Sequence, residues 1–188
     1  MGGSRWSRMR ATQELVEEHR VIERVLTALS RWLGDAERTG TIPAAFLRNL
    51  TAFSQGFVDR CHHAKEEGCL FPCLAHKGSP RESELIGVML QEHEMGRRLV
   101  RQIALQLDRH EAGAASAADV LSPCRAYLEL LQQHILKENH ALFPMGEQIM
   151  VPADDEQTSR CYEDREGDAG HEEHSRLLRL AEAMAAGI

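Results

Sequence analysis

The sequence predicts an all-α protein, an antiparallel four-helix bundle with an additional C-terminal helix. Three observations lead there. Aromatic residues make up 5% of the 188 residues and β-branched residues rarely run together, which favours helix over strand. Apolar residues recur at steps of three, four and seven through four long stretches, the spacing of one helix face. The connections between these stretches are short, as between antiparallel neighbours. A chain of this length supports one well-buried core.

Residues 1–10 are expected to form a flexible N-terminus and residues 11–150 the bundle. In the first helix Leu15, Ile22, Leu26, Leu29 and Leu33 make the inward seam, and His19 fills its one ionisable position. Gly34 to Gly40 form the connection. A second helix starts near Pro43, a residue suited to a first turn, and continues through Phe46, Leu50, Phe53 and Phe57. The third carries Ile86, Met89, His93, Gly96, Val100, Ile103 and Leu107. After "EAGAASAAD" the fourth reads Tyr127, Leu131, His134, Glu138, Ala141, Met145 and Ile149. Residues 151–170 are acidic, contain glycine and lack a sustained apolar period, so they read as a loop. Residues 171–188 read as a C-terminal helix packing on the bundle. Pro72 and Pro144, late in their helices, should kink or end them.

Composition excludes several classes of function. A formal charge of -7 without runs of Lys or Arg argues against nucleic acid. No apolar stretch is long enough to span a membrane, and "MGGSRWSRMR" lacks the apolar core of a secretory signal. A cytoplasmic protein is expected. Five cysteines, an odd number, read as reduced thiols. Cys69 and Cys73 share a helix face, where a pair could bind metal or respond to oxidant, but they read first as small buried hydrophobes.

Ten histidines stand out. HHAKEEGCLFP at residues 62–72 returns as HILKENHALFP at 134–144, with six of eleven positions identical. His19 precedes His62 by 43 residues and His93 precedes His134 by 41, so each half of the chain reads one seam His, then HxxxE. Residues four apart on a helix are neighbours, and His62 with Glu66, like His134 with Glu138, can converge on one point. Burying these charges in an apolar seam would cost several kcal/mol per group, a large part of the roughly 5–15 kcal/mol stability of a domain. Divalent cations offset that cost most directly, and His19, His62, Glu66, His93, His134 and Glu138 outline a dinuclear site. His63 with Glu67 is a rival register, disfavoured because the repeat aligns Lys65 with Lys137.

Four imidazoles and two carboxylates exceed a tetrahedral zinc site and suit iron, with manganese or a mixed pair as alternatives. If both carboxylates and one oxo or hydroxo oxygen bridge the metals, each has five ligands and one vacancy for dioxygen, nitric oxide or peroxide.

The order H, HxxxE, H, HxxxE, with Leu-Phe-Pro after each HxxxE, resembles the hemerythrin HHE cation-binding family over roughly residues 11–150. The resemblance implies an up-and-down bundle, a non-heme di-iron centre, and the six residues above as its ligands. Two departures set the chain apart from oxygen carriers. Arg97 stands where those have a second third-helix histidine, and the last helix has HxxxE in place of HxxxxD. The set is similar to bacterial hemerythrin-like proteins and to the di-iron domain of iron-sulfur repair proteins, although residues 1–10 lack the cysteine pair of the latter.

The expected function is therefore binding or sensing of a small ligand by a monomer or weak homodimer, with a redox partner. The alternatives are a redox enzyme reducing peroxide or nitric oxide, or an iron donor. Tyr127, His140, His171 and His174 are candidates for a further ligand, each read first as a polar residue outside the set. Glu14, Glu17 and Glu18 read as a solvated face, apart from one carboxylate accepting the ring N–H of His19.

Overall fold

The computed structural model describes residues 9–78 and 80–187. Most of the expected flexible N-terminus lies outside them. All regular elements among the described residues are helical.

Helix α1 (Arg10–Thr39) buries Leu15, His19, Ile22, Leu26, Leu29 and Leu33 on its inward face. It starts under a tertiary cap, because the Asp155 carboxylate accepts from the backbone N–H groups of Arg10 and Ala11 at 3.0 and 2.9 Å. It ends at Gly40, whose φ of 71° closes the last turn in the left-handed region.

The second column is continuous from Ala44 to Lys77. It comprises α2 (Ala44–Phe53), π-helical segments at Ser54–His63 and Glu66–Leu70, and α3 (Phe71–Lys77). Leu47, Leu50, Phe53 and Phe57 face inward, while Phe46 is only partly buried and stacks on Trp32. Helix α4 (Pro80–Glu111) buries its expected seam, His93 included. Helix α5 (Ala117–Lys137) opens on a capping box, in which Ser116 accepts from the Asp119 backbone and Asp119 from the Ser116 backbone. It runs on through a third π-helical segment, Glu138–Leu142, into α6 (Phe143–Ile149).

Neither proline ends its column. Each falls in the first turn of the helix after a π segment. The preceding residue donates five positions back, Phe71 to the Glu66 carbonyl and Phe143 to that of Glu138. The wide turn absorbs the bond that the ring cannot make. It also shifts the seam: the expected Ala141, Met145 and Ile149 are exposed or partly buried, and Leu142, Gly146 and Met150 are buried in their place.

The expected loop at 151–170 is a helix, α7 (Pro152–Ala169). Pro152 occupies its first turn, and Asp154 Oδ2 accepts from the Val151 backbone at 2.7 Å. Polar residues Thr158 and Ser159 join Tyr162 on its buried face, so no apolar period announced it. A disulfide joins Cys161 to Cys69, which corrects the expectation of five reduced thiols. Cys61, Cys73 and Cys124 are free. Helix α8 (His171–Ala186) packs on α1 and α2 through Leu177, Ala181 and Met184. Gly56 lets it approach, since a Cβ there would stand 2.8 Å from Leu177.

Two apolar clusters fill the interior. One runs from Ile22 to the far ends of the columns, and the other gathers Leu15, Leu70, Phe71, Leu74, Met89, Leu142, Phe143 and Tyr162. The ionisable belt lies between them, as the order Leu15, His19, Ile22 along α1 shows. No described helix is long and apolar enough to cross a membrane.

Candidate metal centre

The structure brings His19, His62, Glu66, His93, His134 and Glu138 into one buried cluster, each no more than 2% exposed. The Nε2 atoms of His19 and His62 lie 3.0 Å apart, and those of His93 and His134 3.1 Å apart. The carboxylates join the two pairs. Glu66 is 3.5 Å from His62 Nε2 and 3.3 Å from His93 Nε2. Glu138 is 3.1 Å from His19 Nε2 and 3.3 Å from His134 Nε2. Two groups thus place donor atoms close enough to share an ion: His19, His62, Glu66 and Glu138 in one, His63, Glu66, His93 and His134 in the other.

Every Nε2 faces inward because every Nδ1 is committed outward. His62 donates from Nδ1 to Glu18 at 2.8 Å, and His134 to Glu92 at 3.0 Å. His93 donates to Glu67 at 2.7 Å, and His19 to Asn139 at 2.9 Å. Such outer hydrogen bonds fix the tautomer and raise the basicity of the inward nitrogen. They also account for the repeated lysine. Lys65 holds Glu18, and Lys137 holds Glu92. The acceptor chain Glu-Lys is therefore duplicated along with the histidines. Glu18 is buried and serves His62, so it is neither solvated nor the partner of His19. Glu14 is held by Lys65, and Glu17 is exposed.

The electrostatics of the bare cluster are unbalanced. All four oxygens of Glu66 and Glu138 are buried and complete no hydrogen bond. Burial opposes ionisation of Glu138, but His134 and His19 hold it well below the usual carboxylate range. Burial likewise disfavours a charged His134, yet Glu138, with Glu92, raises it to about 10. The cluster thus requires positive charge at its centre, supplied by protons or by cations. A divalent ion would displace those protons and take the unpartnered lone pairs. The donor set fits such an ion.

His63 is the residue that the repeat obscured. It aligns with Ile135, and it falls outside the HxxxE pair. It is 3% exposed, stacks on His93 at a centroid distance of 3.7 Å, and completes no hydrogen bond from Nδ1, with Asp59 Oδ1 3.8 Å away. Burial and the neighbouring imidazoles push it well below the ordinary histidine range, so it is neutral and has a lone pair to offer. Its supposed partner Glu67 accepts from His93 and Arg97 instead. Only the mismatch in the repeat signalled this second imidazole.

The other candidates stand apart from the cluster. The Tyr127 hydroxyl donates to Ser54 Oγ at 2.8 Å. His140 and His171 are exposed, and the ring of His174 lies 5.5 Å from that of Phe57. A cavity of about 220 Å³ leads to His63 past Gly96, Val100, Tyr127 and Leu131, with Arg97 at its wall. Arg97 is fixed there by ion pairs to Asp59 and Glu67, each at 2.7 Å.

Comparison with known proteins agrees with this geometry. The family model described as the hemerythrin HHE cation binding domain matches residues 10–146. Uncharacterized proteins of Mycobacterium bovis and of two strains of Mycobacterium tuberculosis are each 24% identical over 165 residues. The match covers 85% of this chain and 64% of each relative, so the chain spans less than two thirds of their length. No solved structure matches.

Proposed function

Because the chain belongs to the hemerythrin HHE cation-binding domain family, we propose that it is a di-iron protein built on an up-and-down four-helix bundle. On this reading it binds or senses dioxygen, nitric oxide or peroxide as a cytoplasmic monomer or weak homodimer supplied with electrons by a redox partner. One observation carries it: four buried carboxylate oxygens that complete no hydrogen bond lie among four imidazoles whose Nε2 atoms all face inward. His19 and His62 would hold one ion, His93 and His134 the other, with Glu66 and Glu138 shared. Nitrogen and oxygen donors in this ratio suit iron, and manganese or a mixed pair is the alternative.

A bound iron pair would supply electrons and a Lewis-acidic seat for the ligand. The chain's own residues do the rest. The outer carboxylates hold the imidazoles in place, the two apolar clusters exclude water from the ends of the belt, and the cavity admits the ligand on the side of His63. Arg97, in the position of a second third-helix histidine in oxygen carriers, lies outside the donor set and lines that entrance.

Metal analysis after anaerobic loading with ferrous salt, followed by spectra before and after oxygenation, tests the proposal. The expected result is an iron pair with a ligand-dependent charge-transfer band, and a chain that remains empty overturns it. Gly96→Leu tests the route. A Cβ at Gly96 meets nothing closer than 3.9 Å, so the longer side chain should fill the cavity, leaving iron content unchanged while slowing azide binding at least roughly tenfold, the effect of about 1.4 kcal/mol.

A second reading, turnover of peroxide or nitric oxide, is favoured by the Tyr127 and Ser54 hydroxyls, which line the same cavity and form a proton-donating pair. Peroxide loss that is rapid in the loaded protein and slowed in Tyr127→Phe would select it.

A further inference from the structure

The two halves of the centre are built alike, but α7 covers only one of them. Lys137, in the half of His134, is held among the described residues by Glu92 alone, and its side chain is 37% exposed. Lys65, its counterpart beside His62, is 1% exposed and pairs with Glu14 at 2.8 Å, Glu18 at 2.7 Å and Glu166 at 2.5 Å. Two parts of that enclosure come from α7. Glu166 supplies the third carboxylate, and the Tyr162 ring lies 5.6 Å from the ammonium group.

What ties α7 down is the Cys69–Cys161 disulfide. Cys161 precedes Tyr162, and Cys69 follows Glu66 by three residues within the second π segment. Beyond the buried Tyr162 ring, the rest of the attachment is polar: α7 carries few other apolar side chains, and Gly68 accommodates the Arg165 guanidinium, whose Nη2 would lie 2.4 Å from a Cβ there. Both cysteines line a surface cleft of about 350 Å³ shared with the free Cys73. A disulfide that borders solvent, anchors a weakly apolar helix and adjoins a free thiol is placed for exchange.

We propose that Cys69–Cys161 is a thiol–disulfide exchange site that takes a dithiol reductant, and that its reduction releases α7 and uncovers Lys65. A thiolate of the reductant attacks one sulfur, breaking the Cys69–Cys161 bond and forming a mixed disulfide, which the second thiol resolves. Two electrons and two protons pass to the protein, and the reductant leaves as its disulfide. With Glu166 and Tyr162 withdrawn, Lys65 keeps Glu14 and Glu18 but meets water, which weakens its hold on Glu18 and, through Glu18, on His62. On the di-iron reading, on which this last consequence rests, the His19–His62 position becomes the more labile of the two.

The experiment is amine acetylation of the metal-free full chain, before and after dithiothreitol, with each lysine read by mass spectrometry. Lys137 serves as the exposed reference. Lys65 should be nearly unreactive in the oxidised protein and gain at least roughly tenfold on reduction, corresponding to a burial free energy of about 1.4 kcal/mol or more. Cys161→Ser should label at Lys65 without reductant, and wild type carries the test if that variant does not fold. Five free thiols before reduction would overturn the proposal, as would two new thiols with Lys65 still silent. A gain at Lys65 in a chain that never binds iron would sustain this site and refute the di-iron reading. In the iron-loaded protein, reduction should speed loss to a chelator.

Discussion

Glu66 and Glu138 are the residues on which both halves of the cluster depend, since each lies within 3.5 Å of an Nε2 in either pair. On the proposed di-iron reading, Glu66→Ala should therefore cut iron content to below roughly half of wild type, because a shared ligand would serve both positions. His63→Ala, by contrast, should leave most of the iron in place and change the spectrum of the ligand adduct, because His63 adjoins one position only. Elemental analysis and absorption spectra of the two loaded variants distinguish these outcomes. The convergence of these six residues was legible in the sequence because His19, His93, His134 and Glu138 interrupt apolar seams and the repeat adds His62 and Glu66. His63 was not, because a repeat highlights what the halves share and conceals what one half adds. The acceptors Glu18, Glu67, Glu92 and Asn139 were equally hidden. Each directly precedes or follows a cluster residue in the chain, yet serves a histidine from a different column.

Among the elements, those held by apolar packing were predictable and those held by other means were not. Helices α1 and α4 follow from their seams. Helix α7 does not, since it is fastened by Cys161, by Glu166 and by the Asp155 cap on α1. Helix α5 illustrates a local device whose strength can be measured. Ser116→Ala removes the N-terminal cap and should cost about 1 kcal/mol in denaturant unfolding. Its partner Asp119 brings a pH dependence. Hydrogen bonds from the Ser116 side chain and backbone hold the Asp119 carboxyl below its ordinary value of 3.8. The stability it contributes is therefore complete above that value and is lost as pH falls through the depressed one. Asp119→Asn should flatten the melting temperature in that acid window and leave the neutral region's slope unchanged.

At the scale of the molecule, the ionisable belt joins four helical columns between two apolar clusters, and its charge must be balanced for them to stay together. Chelation should therefore lower the melting temperature of the iron-loaded protein. A free ion concentration a hundredfold above Kd contributes about 2.7 kcal/mol, or roughly 5–10 °C for a chain of this size. Calorimetry before and after chelator treatment checks this, and identical transitions would show that the belt is stable without a cation.

The π turns carry a consequence for how the chain can change. A regular helix sets successive residues about 100° apart, so a wide turn amounts to one surplus residue in the count. In the second column that surplus lies between Glu66 and Phe71, and in the fourth between Glu138 and Phe143. It brings the carboxylate above and the phenyl ring below onto the same interior wall. Deleting that surplus would leave the two residues four apart on a regular helix, still neighbours on one face, whereas a second inserted residue would swing the ring about 100° further round, toward solvent. Single deletions in these two five-residue stretches should therefore be tolerated better than single insertions.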